Sequence, residues 1–171
     1  SNSSAASDVY KRQHNDVWPK EWAVDYIRVW KANEGYQKET KEYNILNRQT
    51  GHYMYIDPEV EEVKYGPITE DNEAYAKWEK VKRGDYILLK NCKTGEYIHI
   101  ENQTGYVEHG VVPSTWWSAQ WKESEVDGYT RLVNRWKPDY SIHTEDYQWL
   151  IQYGNVPTTY WTSQWSFIQV S

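Results

Sequence analysis

The chain has 171 residues, a formal net charge of −6 at pH 7, and 39% hydrophobic residues that include eleven Trp and sixteen Tyr. This length suits one domain with an appended segment, and it is short for two full domains. The acidic charge excludes the basic surface that nucleic acids require, and no apolar run approaches a membrane span. We therefore expect neither a nucleic acid nor a membrane as partner.

The first part of the chain differs in pattern from the rest. Residues 1–16 show no hydrophobic pattern and are predicted to be an artefact or a disordered tail. Residues 17–31, VWPKEWAVDYIRVWK, end in the alternation that is typical of a strand. Residues 32–41 have the charged, polar composition of a linker. The remaining body, residues 42–171, is predicted to be one domain.

Three markers recur in this body at a period of about 44 residues, which indicates internal repeats. We call the three copies unit one, unit two and unit three, in chain order. The markers are Trp78, Trp121 and Trp165, then Gly66, Gly110 and Gly154, and finally Asn47, Asn91 and Asn134.

Each unit has the pattern of four short strands. In unit two these are YILLKN, EYIHIE, the strand that ends in VEHG, and QWKES after a loop of about ten residues. No segment of the body has a helical period, so the fold class is all-β. Three four-stranded units that close on themselves predict a β-trefoil with pseudo-threefold repeats, because a three-bladed propeller is too small and a solenoid does not close.

Some aromatic and aliphatic positions recur in all three units and are therefore predicted to fill the barrel. A closed barrel needs similar filling from each third of the chain. The lone Cys92 excludes an intrachain disulfide and is predicted to be a half-buried strand residue. The predicted core positions are Trp78, Trp121 and Trp165 together with Ile45, Leu89 and Leu132.

The sequence carries no pattern that supports catalysis. The five histidines are scattered without the spacing of a zinc site, and no nucleophile elbow or phosphate-binding loop occurs. His99 and His143 occupy similar strand positions in units two and three, so they belong to the repeat. We expect no enzyme activity, no metal and no cofactor.

Two aromatic clusters, WWSAQW and YWTSQW, point instead to a binding surface. Trp117 and Trp161 hold the same position in units two and three, whereas unit one has Ala74 there. The preceding position has Trp116, Tyr160 and, in unit one, Glu73. A ring that is lost in one unit is easier to explain at the surface than in the core, so Trp117 and Trp161 are predicted to be exposed platforms.

A flat indole suits the apolar face of a sugar ring, and specificity then requires hydrogen-bonding side chains beside it. The residue two positions before the marker glycine is a candidate: Glu108 in unit two, Gln152 in unit three and Lys64 in unit one. A carboxylate accepts two hydroxyls, and an amide both donates and accepts. The predicted sites pair Glu108 with Trp117 and Gln152 with Trp161, and the site of unit one is weak or altered.

The repeated pattern N-x-x-T-G, G and S-A-Q-W over residues 42–171 resembles the β-trefoil carbohydrate-binding modules, most closely family 92. This resemblance implies binding of β-linked glucans or red-algal galactans through a Trp and a Glu in each unit. Unit two has both, as Glu108 and Trp117, whereas unit three has Gln152 and unit one has Lys64.

A second resemblance involves WPKEWAVDYIRVWK, which is similar to the last strand of glycoside hydrolase family 16 catalytic domains. The E-x-D-x-x-E motif of that family is absent. The resemblance implies that the parent protein links this module covalently to a catalytic domain. It also implies a bacterial enzyme that is secreted or held at the cell surface.

The residues and the resemblances together predict a monomeric, non-catalytic module that binds a β-linked polysaccharide. Red-algal galactan (agar, porphyran or carrageenan) is slightly favoured over β-1,3- or β-1,6-glucan of the laminarin type. The alternative from another class is a protein-interaction trefoil, whose aromatic clusters would contact a protein.

Overall fold

The computed structural model describes residues 39–145 and 148–170. The chain from Thr40 onward forms one compact unit. The predicted tail, the predicted strand over residues 17–31 and residues 32–38 of the predicted linker lie outside the described residues. Within the described residues, no helix is long and apolar enough to cross a membrane.

The described residues form twelve strands, four in each unit as the repeat predicts, and three 3-10 turns. The 3-10 turns lie in the stretches that were predicted as loops, because a single turn is too short to produce a helical period. Unit one contains β1 (Tyr43–Asn47), β2 (Tyr53–Asp57), β3 (Glu62–Gly66), the turn Glu73–Ala76 and β4 (Trp78–Arg83). Unit two contains β5 (Tyr86–Asn91), β6 (Tyr97–His99), β7 (Glu108–Gly110), the turn Trp117–Ala119 and β8 (Trp121–Val126). Unit three contains β9 (Tyr129–Asn134), β10 (Ser141–His143), β11 (Gln152–Gly154), the turn Trp161–Ser163 and β12 (Trp165–Gln169).

Six strands close into a barrel. The first and last strand of each unit pair in the antiparallel order β1, β4, β5, β8, β9 and β12. Strand β12 then pairs with β1 over five residue pairs, so the ring has no free edge. Closure removes the unpaired strand edges that an open sheet would present.

The other six strands form three hairpins, β2 with β3, β6 with β7 and β10 with β11. The hairpins meet through their buried residues Val63, Val107 and Ile151. Ile151 N donates to Val63 O at 3.1 Å, and Val107 N donates to Ile151 O at 2.9 Å. A six-stranded barrel with three converging hairpins is a β-trefoil, so the predicted fold class is confirmed.

The predicted core is also confirmed. Trp78, Trp121 and Trp165 are fully buried, one from each unit. Ile45, Leu89 and Leu132 are likewise fully buried. Each third of the barrel is therefore filled by the same two kinds of side chain, which is why these positions recur in the sequence.

The three buried indoles differ in their hydrogen bonds. The Nε1–H of Trp165 donates to Ile142 O at 3.1 Å, and that of Trp78 donates to Met54 O at 2.9 Å. The buried Nε1–H of Trp121 has no partner among the described residues. A donor that is already unpaired costs nothing further when it is removed, whereas removing a paired donor leaves a buried acceptor unsatisfied.

We expect Trp165→Phe to lower the free energy of unfolding by about 1 kcal/mol more than Trp121→Phe does. Both substitutions remove similar volume, so the matched pair isolates the hydrogen bond. Urea unfolding followed by far-ultraviolet circular dichroism measures both variants. Equal losses in the two variants would contradict this account of the indole hydrogen bonds.

The marker asparagines hold the 3-10 turns in place. In unit three, the Asn134 side-chain oxygen accepts from the amides of Trp136 and Lys137 at 2.9 and 3.1 Å. Its side-chain amide donates to Ser118 O, in the turn of unit two, at 3.0 Å. Asn91 and Asn47 bond in the same way to Tyr75 O and Thr162 O at 2.8 and 2.9 Å. Each asparagine thus fixes the turn of the preceding unit. Asn47, in unit one, does this for the turn of unit three.

Candidate functional site

Each aromatic cluster lies on a short turn that begins after a proline. Trp116 N donates to Pro113 O, and Tyr160 N donates to Pro157 O, both at 3.0 Å. The next residues, Trp117 and Trp161, are the first residues of the 3-10 turns of units two and three. Because proline fixes its own backbone angle, the two turns start from the same constrained geometry.

In unit two, the Trp117 ring stacks on an arginine from the following unit. Arg135 Cζ lies 4.3 Å from the centroid of the Trp117 ring and 4.4 Å from that of Tyr86. A guanidinium nitrogen of Arg135 donates to Gln120 Oε1 at 2.7 Å. The guanidinium therefore lies between two aromatic rings and is held by a hydrogen bond, which fixes the orientation of the indole.

Unit three repeats this stack, and its arginine comes from unit one. Arg48 Cζ lies 4.0 Å from the centroid of the Trp161 ring and 4.2 Å from that of Tyr129. The Arg48 side chain donates to Gln164 Oε1 at 2.7 Å. We call Trp117 and Trp161, each with its arginine, the two aromatic platforms.

The predicted exposure of the platforms is confirmed. Trp117 is 53% exposed and Trp161 is 50% exposed, although one face of each ring contacts a guanidinium. Their neighbours Trp116 and Tyr160 are also exposed, at 40% and 48%. Large aromatic side chains that are half exposed and rigidly held are typical of binding surfaces.

Unit one lacks the whole stack and not only the indole. The backbone bond from Cys92 N to Lys77 O, 2.9 Å, matches the bond from Arg135 N to Gln120 O in unit two. Cys92 and Lys77 thus stand where unit two has Arg135 and Gln120. No guanidinium is present to stack on a ring, and Ala74 replaces the indole. Burial, with the nearby carboxylate of Glu42, raises the pKa of the Cys92 thiol to about 11. Cys92 is thus a half-buried, unreactive thiol, as predicted, but it lies in the turn after β5 and not in a strand, because β5 ends at Asn91.

Trp117 lines an open cavity of about 390 Å³ together with Trp116, Glu101 and Trp136. Glu108 lines a different cavity, of about 360 Å³, whose other acidic residues are Glu61 and Glu62. The cavity beside the Trp117 platform therefore takes its carboxylate from Glu101. The structure does not bring the predicted pair of Glu108 and Trp117 to one cavity.

Glu108 is nevertheless connected to that cavity through a buried histidine. Glu108 Oε2 lies 3.7 Å from His99 Nδ1, and the same nitrogen accepts from the Glu101 amide at 3.2 Å. The Asn102 side-chain amide donates to both oxygens of Glu108, at 3.0 and 3.2 Å. Glu108 is thus held by Asn102 and lies beside the histidine that accepts from the Glu101 backbone amide.

Gln152 and Lys64 occupy the equivalent strand positions in the other two units. Gln152 pairs across the hairpin with His143, and its buried Oε1 has no hydrogen-bond partner among the described residues. Lys64 forms an ion pair with Asp57 at 3.0 Å, and this bond raises the pKa of Lys64. The Lys64 side chain is therefore held by Asp57, a residue of the same unit.

The buried histidines predict a pH dependence of stability. Burial lowers the pKa of His99 and of His143 below the ordinary value of 6.5, although nearby glutamates oppose the shift. Below pH 6.5 the unfolded chain therefore binds protons that the folded protein does not. This contribution to stability is complete above pH 6.5 and is lost as the pH falls toward the lowered pKa values.

We expect the free energy of unfolding to decrease from pH 7 to pH 5 and the decrease to be smaller in a His99→Gln, His143→Gln variant. Urea unfolding at a series of pH values measures both slopes. A variant slope as steep as that of the unchanged protein would assign the pH dependence to other groups.

The arginine stack predicts that Arg135 acts on binding by positioning Trp117. We expect Arg135→Met to weaken the unit-two site by about 1 kcal/mol while the domain stays folded, because a cation held on an indole contributes about that much. Titration in a Trp161→Ala background, which isolates unit two, measures the loss. Arg83→Met, at an exposed arginine, is the matched control. An equal effect of both substitutions on binding would mean that Arg135 does not position Trp117 in the site.

Sequence reasoning missed several residues of this surface. Tyr86, Arg135 and Glu101 lie far from Trp117 in the chain, and nothing in their local pattern marks them. One signal was present in the repeat: the positions of Tyr86, Arg135, Gln120 and Trp117 all change together in unit one. Among residues 39–145 and 148–170, no group of His, Cys, Asp and Glu side chains could hold a metal ion.

The barrel, the three hairpins and the paired platforms define a β-trefoil with aromatic surface sites on two of its three units. Many solved structures resemble it, and three of them are described. Residues of this chain are 62% identical to the GlcNAcα1-4Gal releasing endo-β-galactosidase from Clostridium perfringens, with a TM-score of 0.76, over 81% of this chain and 34% of that one. The chain therefore spans about a third of that enzyme's length.

Two more distant structures share the fold. The BEL β-trefoil is 16% identical, with a TM-score of 0.62, over 78% of this chain and 96% of that one. SeviL bound to asialo-GM1 saccharide is 13% identical, with a TM-score of 0.62, over 77% of this chain and 99% of that one. No protein-family model and no curated protein matches the sequence.

Proposed function

We propose that residues 42–171 are a non-catalytic carbohydrate-binding module that holds a polysaccharide-degrading enzyme on its substrate. The observation that carries this proposal is the pair of half-exposed indoles, each fixed by an arginine that covers one of its faces. An indole in this arrangement offers a flat, slightly negative face to the C–H groups of a sugar ring. Nearby carboxylates such as Glu101 supply hydroxyl acceptors.

The ligand class that we propose is a glycan with β-linked galactose. The name of the 62% identical enzyme, an endo-β-galactosidase that releases GlcNAcα1-4Gal, supports galactose over glucose. Red-algal galactans belong to this class, and a β-1,3- or β-1,6-glucan is the alternative ligand. The site residues that we propose are Trp116, Trp117 and Glu108 in unit two, Tyr160, Trp161 and Gln152 in unit three, and Lys64 in unit one, with Glu101 added from the structure.

We further propose that the parent protein joins this monomeric module to a catalytic domain and acts outside a bacterial cell. The support is that the chain matches about a third of a longer enzyme. A single shallow platform binds weakly, because it buries little area. Two platforms on one polymer raise the apparent affinity without any new contact.

Native affinity electrophoresis tests the proposal. The protein is run through gels that contain agarose, porphyran, κ-carrageenan, laminarin or pustulan, with a bare gel as control. We expect retardation in at least one galactan gel, and addition of the GlcNAcα1-4Gal disaccharide tests whether that sugar competes. Retardation only in laminarin or pustulan would select the glucan alternative, and none in any gel would favour a protein-binding surface. Release of reducing sugar during long incubation would refute the non-catalytic assignment.

A further inference from the structure

A second aromatic surface lies where the hairpin of unit three meets unit one. Trp149 contacts His52 and Tyr65, with ring centroids 5.3 and 5.5 Å apart. These three residues line an open cleft of about 680 Å³, which we call the junction cleft. Its volume falls in the range of about 300–1,000 Å³ that is typical of small-molecule sites.

The junction cleft continues the surface of the unit-three platform. Thr162, the residue directly after Trp161, lines it, and so does Glu145, the equivalent of Glu101 in unit two. Thr162 Oγ1 donates to Glu145 Oε1 at 3.1 Å. Thr162 therefore connects the turn that carries Trp161 to the cleft that Trp149 lines.

The corresponding region of unit two is divided into two separate cavities. One, of about 390 Å³, lies beside Trp117, and the other, of about 460 Å³, lies beside Tyr140 and Tyr153. Trp136 lines the first and Lys137 the second, and the Lys137 Nζ lies 4.4 Å from the Trp136 ring centroid. In the junction cleft, Gln49 and Thr50 occupy the positions of Trp136 and Lys137. The cleft is one continuous cavity there.

Trp149 also stands where the fold favours glycine. Its φ is +68°, in the left-handed region, and the equivalent residue in unit two is Gly105 with φ +87°. A bulky aromatic residue rarely adopts this conformation, and such outliers cluster at functional sites. Trp149 is 51% exposed, so about half of its surface is open to solvent. The backbone geometry does not explain a tryptophan at this position, and the rings that Trp149 contacts, those of His52 and Tyr65, themselves line the cleft.

We propose that the junction cleft extends the unit-three site, with Trp149 as a second stacking platform, so that this site binds a glycan segment of at least two sugar rings. The unit-two site, which Trp136 and Lys137 close, binds a single ring. The carboxylate of Glu145 and the hydroxyls of Thr162 and Thr50 line the cleft together with Trp149 and provide the hydrogen-bonding groups that a sugar chain requires. This inference rests on the proposed function.

Titration calorimetry and NMR of a Trp117→Ala background, in which unit two lacks its platform, test the inference. The probes are D-galactose and neoagarotetraose, with laminaritetraose as the glucan probe. We expect a tetrasaccharide to bind about tenfold more tightly than its monosaccharide, and Trp149→Gly to remove that gain. The indole N–H signal of Trp149, assigned from its absence in Trp149→Gly, shifts with the tetrasaccharide and not with galactose.

Glu61→Gly is the matched control, since Glu61 holds the equivalent position in unit one, with φ +55°. It is expected to leave tetrasaccharide binding unchanged. Trp149→Gly keeps the fold, because glycine already occupies this position in unit two. Equal affinity for galactose and for the tetrasaccharide would overturn the extended site and leave the proposed function intact. A Trp149→Gly variant that binds the tetrasaccharide as the unchanged protein does would have the same consequence. No binding of any probe would overturn both.

Discussion

A Trp117→Ala, Trp161→Ala variant loses retention on the galactan gel that retards the unchanged protein. Each substitution removes the exposed ring of one platform, and hot-spot aromatic residues contribute about 2 kcal/mol or more to binding. A loss of that size weakens one site roughly thirtyfold. Removing both sites also removes the avidity that comes from two contacts on one polymer. Affinity electrophoresis measures the loss directly, and either single variant retains a weaker, intermediate retardation.

The matched control is a Val60→Ala, Val111→Ala variant, which truncates two other exposed apolar side chains on the same domain. It is expected to migrate as the unchanged protein does in every gel. The unfolding midpoint of the double tryptophan variant is expected to stay close to that of the unchanged protein. Full retention of the double tryptophan variant would mean that the platforms are not the sugar sites.

Trp165→Ala lowers the free energy of unfolding by about 3–5 kcal/mol. The Trp165 side chain is fully buried, so truncation leaves a cavity and also removes the hydrogen bond to Ile142 O. A domain of this size has a total stability of about 5–15 kcal/mol, so the loss is a large part of it. Urea unfolding monitored by circular dichroism measures the change.

Trp161→Ala is the matched control for this prediction, since it changes the same residue type four positions earlier at a half-exposed site. It is expected to cost less than about 1 kcal/mol of stability while it weakens sugar binding. The two variants therefore separate folding from binding within one short segment. A similar loss of stability in both would show that the Trp161 stack on Arg48 is part of the core.

The repeat made the fold predictable from sequence. A closed barrel built from three equivalent units has to place similar side chains at equivalent positions, so Trp78, Trp121 and Trp165 recur at a nearly constant spacing. The same rule predicted the exposed platforms, because a ring that is absent from one unit is not needed to fill the barrel. The 3-10 turns were not predicted, since one turn carries no periodic signal.

The partners of the platforms were less predictable. Glu108 was paired with Trp117 because both occupy repeat positions, but Glu101 is the carboxylate that lines the cavity beside Trp117. Glu101 lies in the turn after β6, so the strand pattern did not mark it as the carboxylate that meets the ring. The buried His99 lies beside Glu108 and accepts a hydrogen bond from the backbone amide of Glu101.

The period, the all-β class, the core tryptophans and the exposure of the two aromatic clusters were predictable from sequence, because they depend on which side chains recur, or fail to recur, from unit to unit. Only the tertiary structure brought Tyr86, Arg135 and Trp117 into one stack and opened the junction cleft around Trp149. Both features form between neighbouring units when the barrel closes. Contacts of that kind depend on how strands and hairpins approach each other in space, and local periodicity does not record that approach.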